Sequence, residues 1–203
     1  MIGNNMFVYC LNNPVNYSDS NGCAPKKPDP ITIEVVGDTM YITMYVKYGK
    51  GVDSHTASLI KAGIEGYWSG KFMVDGKEMT VVTTVIDVFD GGHHIFAANQ
   101  QFVNIDYKNK AGISQVKYPI VSWSKSNPGK MILYGYFPDG SAKSDVQIMW
   151  SAAHEFGHLL GLASPTNNGN FGEDIMNVWY EKVTSTIIEL VKKAFDTNKK
   201  QYS

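Results

Sequence analysis

The segment from Ser144 to Gly161 constrains the fold more than any other part of the sequence, because it predicts one helix with two defined ends. Ser144 and Gln147 fit a capping box, in which each side chain accepts a hydrogen bond from the backbone N–H of the other residue. Gly161 can adopt the left-handed conformation that ends many helices. Between these ends, His154 and His158 are four residues apart, so they lie on the same face of the helix.

These two histidines and the glutamate beside them have the arrangement of a metal site on a helix. Both imidazoles can reach one cation, and imidazole nitrogen is a good ligand for Zn²⁺. Glu155 is turned by about 100° around the helix, so its carboxylate can contact a water held by the metal more easily than the metal itself. The sequence therefore predicts His154 and His158 as zinc ligands and Glu155 as the general base of a water attack.

The string HEFGHLLGL, which runs from His154 to Leu162, resembles the metzincin metallopeptidases, whose longer motif is HExxHxxGxxH or HExxHxxGxxD. Met176 resembles the methionine of the family's Met-turn, a tight turn that places a methionine beneath the metal. The resemblance implies an α+β, metzincin-like zincin fold: a twisted mixed sheet with an active-site helix, a Met-turn and a C-terminal helix. It also implies a zinc-dependent endopeptidase with protein or peptide substrates.

Ser164 stands at the position of the family's third zinc ligand. A neutral serine hydroxyl is a poor zinc ligand beside imidazole and carboxylate groups. Several alternatives stay open: Glu173 or Asp174 completes the coordination shell, His93 or His94 completes it, or extra waters fill it. In a further alternative the chain keeps the fold and loses turnover, which makes it a catalytically degenerate binding module on a metzincin-like scaffold.

Residues 1–30 differ from the rest of the chain, because they are rich in Asn, Pro, Ser and Tyr and end in the linker-like sequence APKKPDP. We predict a domain boundary there. The string NNPVNYSDSNG resembles the closing signature of the core in Rhs-repeat and wall-associated proteins. The resemblance implies that residues 1–30 are the end of an Rhs core with its linker and that residues 31–203 are a metallopeptidase-like toxin domain. It further implies a cognate immunity protein and secretion, or delivery to a target cell, as part of a larger protein.

Charge and composition argue against a nucleic-acid-binding protein and against a membrane-spanning protein. All 18 basic residues are lysines and the formal net charge is -1. Arginine is the usual reader of phosphate and guanine, and nucleases more often hold magnesium with carboxylates, so we expect no nucleic-acid partner. No apolar run reaches the ~18 residues of a membrane span, and the first residues lack a signal-peptide pattern. Cys10 and Cys23 can form one disulfide at most, which leaves the redox compartment open.

The remaining elements follow from hydrophobic periodicity. We expect the strand that precedes the metal helix to be a sheet edge that aligns an extended peptide by backbone pairing. A helix that begins at Asp53 or Ser54 has one apolar stripe, formed by Ala57, Ile60, Ile64 and Trp68. The other predicted elements are a hairpin of Ile31–Val36 and Met40–Tyr48, strands at Met79–Val88, His94–Phe102, Val116–Trp123 and Met131–Phe137, and a final helix at Thr184–Asp196.

Overall fold

The computed structural model describes residues 29–88, 101–117, 129–162, 175–176 and 181–201, with side chains up to residue 196. These residues form an α+β fold in which one mixed sheet packs against helices. The strands are β1 (Ile31–Val36), β2 (Thr39–Tyr48), β3 (Gly70–Val74), β4 (Lys77–Asp87), β5 (Val103–Ala111), β6 (Gln115–Lys117) and β7 (Lys130–Tyr136). The helices are α1 (Ser54–Trp68), α2 (Asp145–Leu159) and α3 (Ser185–Gln201).

The strand order in the described sheet is β3-β4-β2-β5-β7-β6, and β1 pairs with the first half of β2. The pairs β2–β4, β2–β5 and β5–β7 are parallel, whereas β3 and β6 run antiparallel to their neighbours. The expectation that the strand before the metal helix is an edge is wrong, because this strand, β7, lies between β5 and β6. The outermost described strand on that side is β6, which the short segment Gln115–Lys117 forms.

The predicted hairpin of β1 and β2 is confirmed, and its register pairs Val36 with Thr39. Gly37 has a φ of 59°, a left-handed conformation that glycine adopts at no steric cost. Alternate residues of β2 from Met40 onward are fully buried, so the strand presents one apolar face to the helices. This alternation is the period-two pattern of a strand with one buried face.

Helices α1 and α2 pack against each other at very short range. The predicted stripe of α1 is largely buried: Ile60, Ile64 and Trp68 are fully buried, although Ala57 is only half-buried. The Nε1–H of Trp68 donates a hydrogen bond of 2.9 Å to the carbonyl of Ala153 in α2. The rings of Trp68 and Phe156 are also nearly perpendicular, with ring centroids 5.3 Å apart. Trp68 therefore fixes α1 to the part of α2 that carries the two histidines.

We expect Gly63→Ala to destabilise the protein by about 2–3 kcal/mol, because a Cβ at Gly63 would lie 2.7 Å from the Cα of Met149 and would force the helices apart. Gly66→Ala is the matched control in the same helix, since a Cβ there meets nothing within 4 Å. In an open helical position, alanine stabilises by about 0.5–1 kcal/mol over glycine. Urea unfolding of both variants should show shifts of opposite sign, and a stabilised Gly63→Ala would contradict this packing.

Helix α3 covers the outer edge of β3. The N–H of Met73 donates to the hydroxyl of Ser185 at 3.0 Å, and the N–H of Asp75 donates to the carboxylate of Glu189 at 3.1 Å. The buried face of α3 includes Ile187, Ile188 and Val191. Side chains of α3 thus satisfy backbone groups that an exposed edge strand would leave unpaired.

Most predicted elements agree with the structure where the residues are described. Strands β4 and β7 match within two residues, β6 lies within the predicted Val116–Trp123 apart from its first residue, and α3 extends beyond Asp196. Two strands, β3 and β5, were not predicted, and most of the predicted strand His94–Phe102 lies outside the described residues. Residues 1–28, with Cys10, Cys23 and the Rhs-like signature, also lie outside them. In the described part of the chain, no helix has the length and apolar character needed to cross a membrane.

Candidate metal centre

Both ends of α2 form as its sequence predicts. The backbone N–H of Ser144 donates to Oε1 of Gln147 at 2.7 Å, and the N–H of Gln147 donates to Oγ of Ser144 at 3.4 Å. At the other end Gly161 has a φ of 91°. Its N–H donates to the carbonyl of His158, and the N–H of Leu162 donates to the carbonyl of Gly157, which is the hydrogen-bond pattern of a Schellman motif. This turn folds the chain back over the last turn of α2.

The two imidazoles of α2 converge through their Nε2 atoms, which are 3.2 Å apart. Each Nδ1 is 2.8 Å from a backbone carbonyl: that of Ile175 for His154 and that of Leu162 for His158. Because a carbonyl only accepts hydrogen bonds, both Nδ1 atoms carry the proton in these contacts. In the neutral rings the two Nε2 lone pairs therefore face each other.

Two facing lone pairs repel each other unless a cation lies between them. Two nitrogen ligands at ~2.05 Å from a tetrahedral zinc are ~3.3 Å apart, so the observed 3.2 Å separation fits a pair of zinc ligands. Burial is the largest factor that holds the pKa of His154 below its ordinary value, which favours the neutral, metal-binding form. The carbonyl of Ile175 opposes this shift, while the charges of His158 and Lys143 add to it.

Glu155 is the most deeply buried carboxylate in this region, at 4% exposure. Its Oε2 atom has no hydrogen-bond partner among the described residues. A buried carboxylate oxygen without a partner is rare in folded proteins, because desolvation is costly. Burial raises the pKa of Glu155 to about 8, and the charge of Lys143 partly offsets this rise. The arrangement suits a carboxylate that contacts a metal-held water, which would supply the missing hydrogen bond.

Lys143 approaches the same helix from the loop before it. Its Nζ donates to Oγ of Ser151 at 3.1 Å and lies 5.3 Å from the centre of the Phe137 ring. Ser151 is four residues before Glu155, so the two side chains share a face of α2. Burial lowers the pKa of Lys143, and the charge of Glu155 opposes this shift. No sequence pattern placed this lysine at the site.

The Ile175–Met176 segment packs on the same helix. Both residues are buried, and the backbone N–H of Ile175 donates to the carbonyl of Lys182 at 3.0 Å. The sulfur of Met176 rests on Gly157, where a Cβ would overlap it. The segment therefore meets α2 between His154 and His158. Met176 was singled out in the sequence, whereas the role of the neighbouring carbonyl as a histidine partner was not.

The described residues supply no third ligand side chain to this pair of histidines. Among the described residues, no group of three or more His, Cys, Asp or Glu side chains could hold a metal together. Ser164, Glu173, Asp174, His93 and His94 all fall outside the described residues. The structure thus brings together the predicted pair His154 and His158. The alternatives for the remaining ligands of the coordination shell stay open.

We expect the metal-free Glu155→Gln variant to be more stable than the wild type at high pH. The folded-state pKa of Glu155 is raised from 4.5 to about 8, so its neutral form contributes stability that is complete below pH 4.5 and is lost as pH rises through about 8. The difference between variant and wild type should grow from near zero at pH 4.5 to about 5 kcal/mol at pH 9. Urea unfolding in chelator across this range measures it, and a difference independent of pH would refute the raised pKa of Glu155.

Comparison with known proteins adds little to this geometry. No protein-family model matches the sequence, and no curated protein matches it. The solved structure of myroilysin is similar to this chain with a TM-score of 0.37 and 15% sequence identity, over 71% of this chain and 70% of that chain. A TM-score of that size does not establish a common fold, so the function of this chain has to be inferred from the residues of the site.

Proposed function

We propose that this protein is a zinc-dependent endopeptidase in which His154 and His158 bind the metal and Glu155 is the general base. The supporting observation is the convergence of the two Nε2 atoms at 3.2 Å, with each Nδ1 held by a backbone carbonyl, next to a buried carboxylate whose Oε2 has no hydrogen-bond partner among the described residues. Two facing nitrogen lone pairs favour a bound cation. A neutral ligand or a purely structural role of the two histidines would not require this arrangement. The same residues form the metzincin-like motif of the sequence, and a Met176 that packs against the metal helix agrees with a Met-turn.

The metal and the surrounding residues would have separate roles in hydrolysis. Bound zinc would lower the pKa of a coordinated water toward ~7 and polarise the scissile carbonyl. Glu155 accepts a proton from the attacking water and delivers it to the nitrogen of the leaving amine, so one O–H and one C–N bond break while one C–O and one N–H bond form. The carbonyls of Ile175 and Leu162 hold the Nδ1–H groups, which leaves each Nε2 for the metal.

We further propose that this domain is the toxin part of an Rhs-type protein, delivered to a target cell and paired with an immunity protein. The support is the NNPVNYSDSNG string that precedes the domain. The proposed substrate class is protein or peptide. The metzincin-like zincin fold and the domain limits 1–30 and 31–203 belong to the same proposal.

The experiment that tests the enzymatic proposal is metal analysis coupled to proteolysis. We expect the purified chain to bind one zinc and to cleave a generic unfolded protein such as casein. A chelator should abolish cleavage and added zinc should restore it. Zinc binding without cleavage would support the alternative, a catalytically degenerate binding module. A chain that binds no zinc at micromolar supply would refute the metal site itself.

A further inference from the structure

Trp150 forms an aromatic column with the two histidines of α2. Its indole stacks on the His154 imidazole with ring centroids 4.9 Å apart and an angle of 28° between the planes. His158 continues the column, with its ring centroid 4.8 Å from that of His154 and its plane nearly perpendicular. Trp150 is only 5% exposed, so it is anchored in the core. One face of the His154 ring is therefore covered by a buried side chain.

Two contacts together determine the orientation of His154. The hydrogen bond from Nδ1 to the carbonyl of Ile175 fixes one edge of the ring, and the indole of Trp150 fixes one face. The remaining edge, with Nε2, is directed at His158. An imidazole ordered before the metal arrives loses less conformational entropy on binding, which raises affinity.

The stack also has an electronic effect. A cation on Nε2 draws electron density out of the imidazole, and a positively polarised ring is attracted to the electron-rich face of an indole. The contact between Trp150 and His154 is therefore stronger when the metal is bound than when it is absent. A differential contact of this kind shifts the equilibrium toward the metal-bound state.

We propose that Trp150 is a positioning residue of the metal centre, which holds His154 in its ligand orientation and strengthens zinc binding. The proposal rests on the proposed function, because it takes zinc as the occupant of the site.

The test compares Trp150→Leu, Trp150→Phe and Trp68→Phe in the full chain. Trp68 is the control, since it is also buried and contacts α2 through Ala153 and Phe156, whereas Trp150 stacks directly on His154. By competition with a chromophoric chelator, Trp150→Leu should weaken zinc binding about 10- to 100-fold. Trp150→Phe keeps an aromatic face and should stay within about threefold of the wild type. Trp68→Phe should lower the melting temperature and leave zinc affinity unchanged.

A second readout needs no metal. The ¹⁵N chemical shifts of the histidine rings in the metal-free protein should show His154 protonated at Nδ1 alone in the wild type and as a mixture of tautomers in Trp150→Leu. If the wild type binds no zinc, the proposed function fails, and these shifts still decide whether Trp150 orients His154. Wild-type zinc affinity with wild-type ring shifts in Trp150→Leu would overturn the proposal. An equal loss of affinity in Trp68→Phe would overturn it as well, because general destabilisation would then explain the effect.

Discussion

Glu155→Gln should lower kcat by about a thousandfold and leave zinc affinity nearly unchanged. Removal of a general base typically costs about 10²–10⁴ in rate. Glutamine has the same size and keeps an acceptor oxygen, but it cannot take a proton from water. Because Nε2 of His154 and of His158 would bind the metal, the substitution leaves both ligands in place. Steady-state cleavage of an unfolded protein, together with a zinc titration, measures the two quantities separately.

Glu65→Gln provides the matched control for this experiment. Glu65 is a half-buried carboxylate in α1 whose Oε1 accepts the backbone N–H of Val85 at 2.8 Å. Glutamine retains that acceptor, so we expect wild-type turnover in this variant. If Glu155→Gln cleaved substrate as fast as the Glu65→Gln control, Glu155 would not be the base, and the unpartnered oxygen would need another explanation.

His158→Ala should weaken zinc binding by more than about 100-fold. Loss of a residue that only supports a ligand costs about 10- to 100-fold in metal affinity, and loss of a ligand itself costs more. The substitution removes one of the two imidazoles whose Nε2 atoms converge, so His154 would keep only half of this pair. We expect His154→Ala to behave in the same way. Chelator competition at a fixed pH measures both constants.

His55→Ala is the control for the histidine variants. His55 lies at the start of α1, is exposed, and forms its contact with Asp145 at 3.3 Å, away from the two converging rings. Its removal should leave zinc affinity unchanged. Wild-type zinc affinity in His158→Ala would mean that the metal binds elsewhere in the chain. The short distance between the two Nε2 atoms would then reflect a proton shared between the rings.

Local sequence patterns predicted the elements that depend on neighbours in the chain. The hairpin of β1 and β2, the capping box at Ser144 and the end of α2 at Gly161 all formed as expected, because turn and cap geometry is set within a few residues. Strand β5 was missed although Val103, Ile105 and Tyr107 alternate correctly. The Asn, Asp and Lys residues between them have low strand propensity and obscured the pattern.

The sequence by itself determined that His154 and His158 share a helical face with Glu155 beside them, since helical periodicity alone places residues four apart above one another. The tertiary structure decided which ring nitrogens face each other, that Glu155 is buried, and that Lys143 lies on its side of the helix. These features require contacts between segments far apart in the chain, such as that of His154 with Ile175. Helical periodicity determines the face of the helix from which a side chain projects. Only packing against residues distant in the chain determines the orientation of that side chain and its exposure to water.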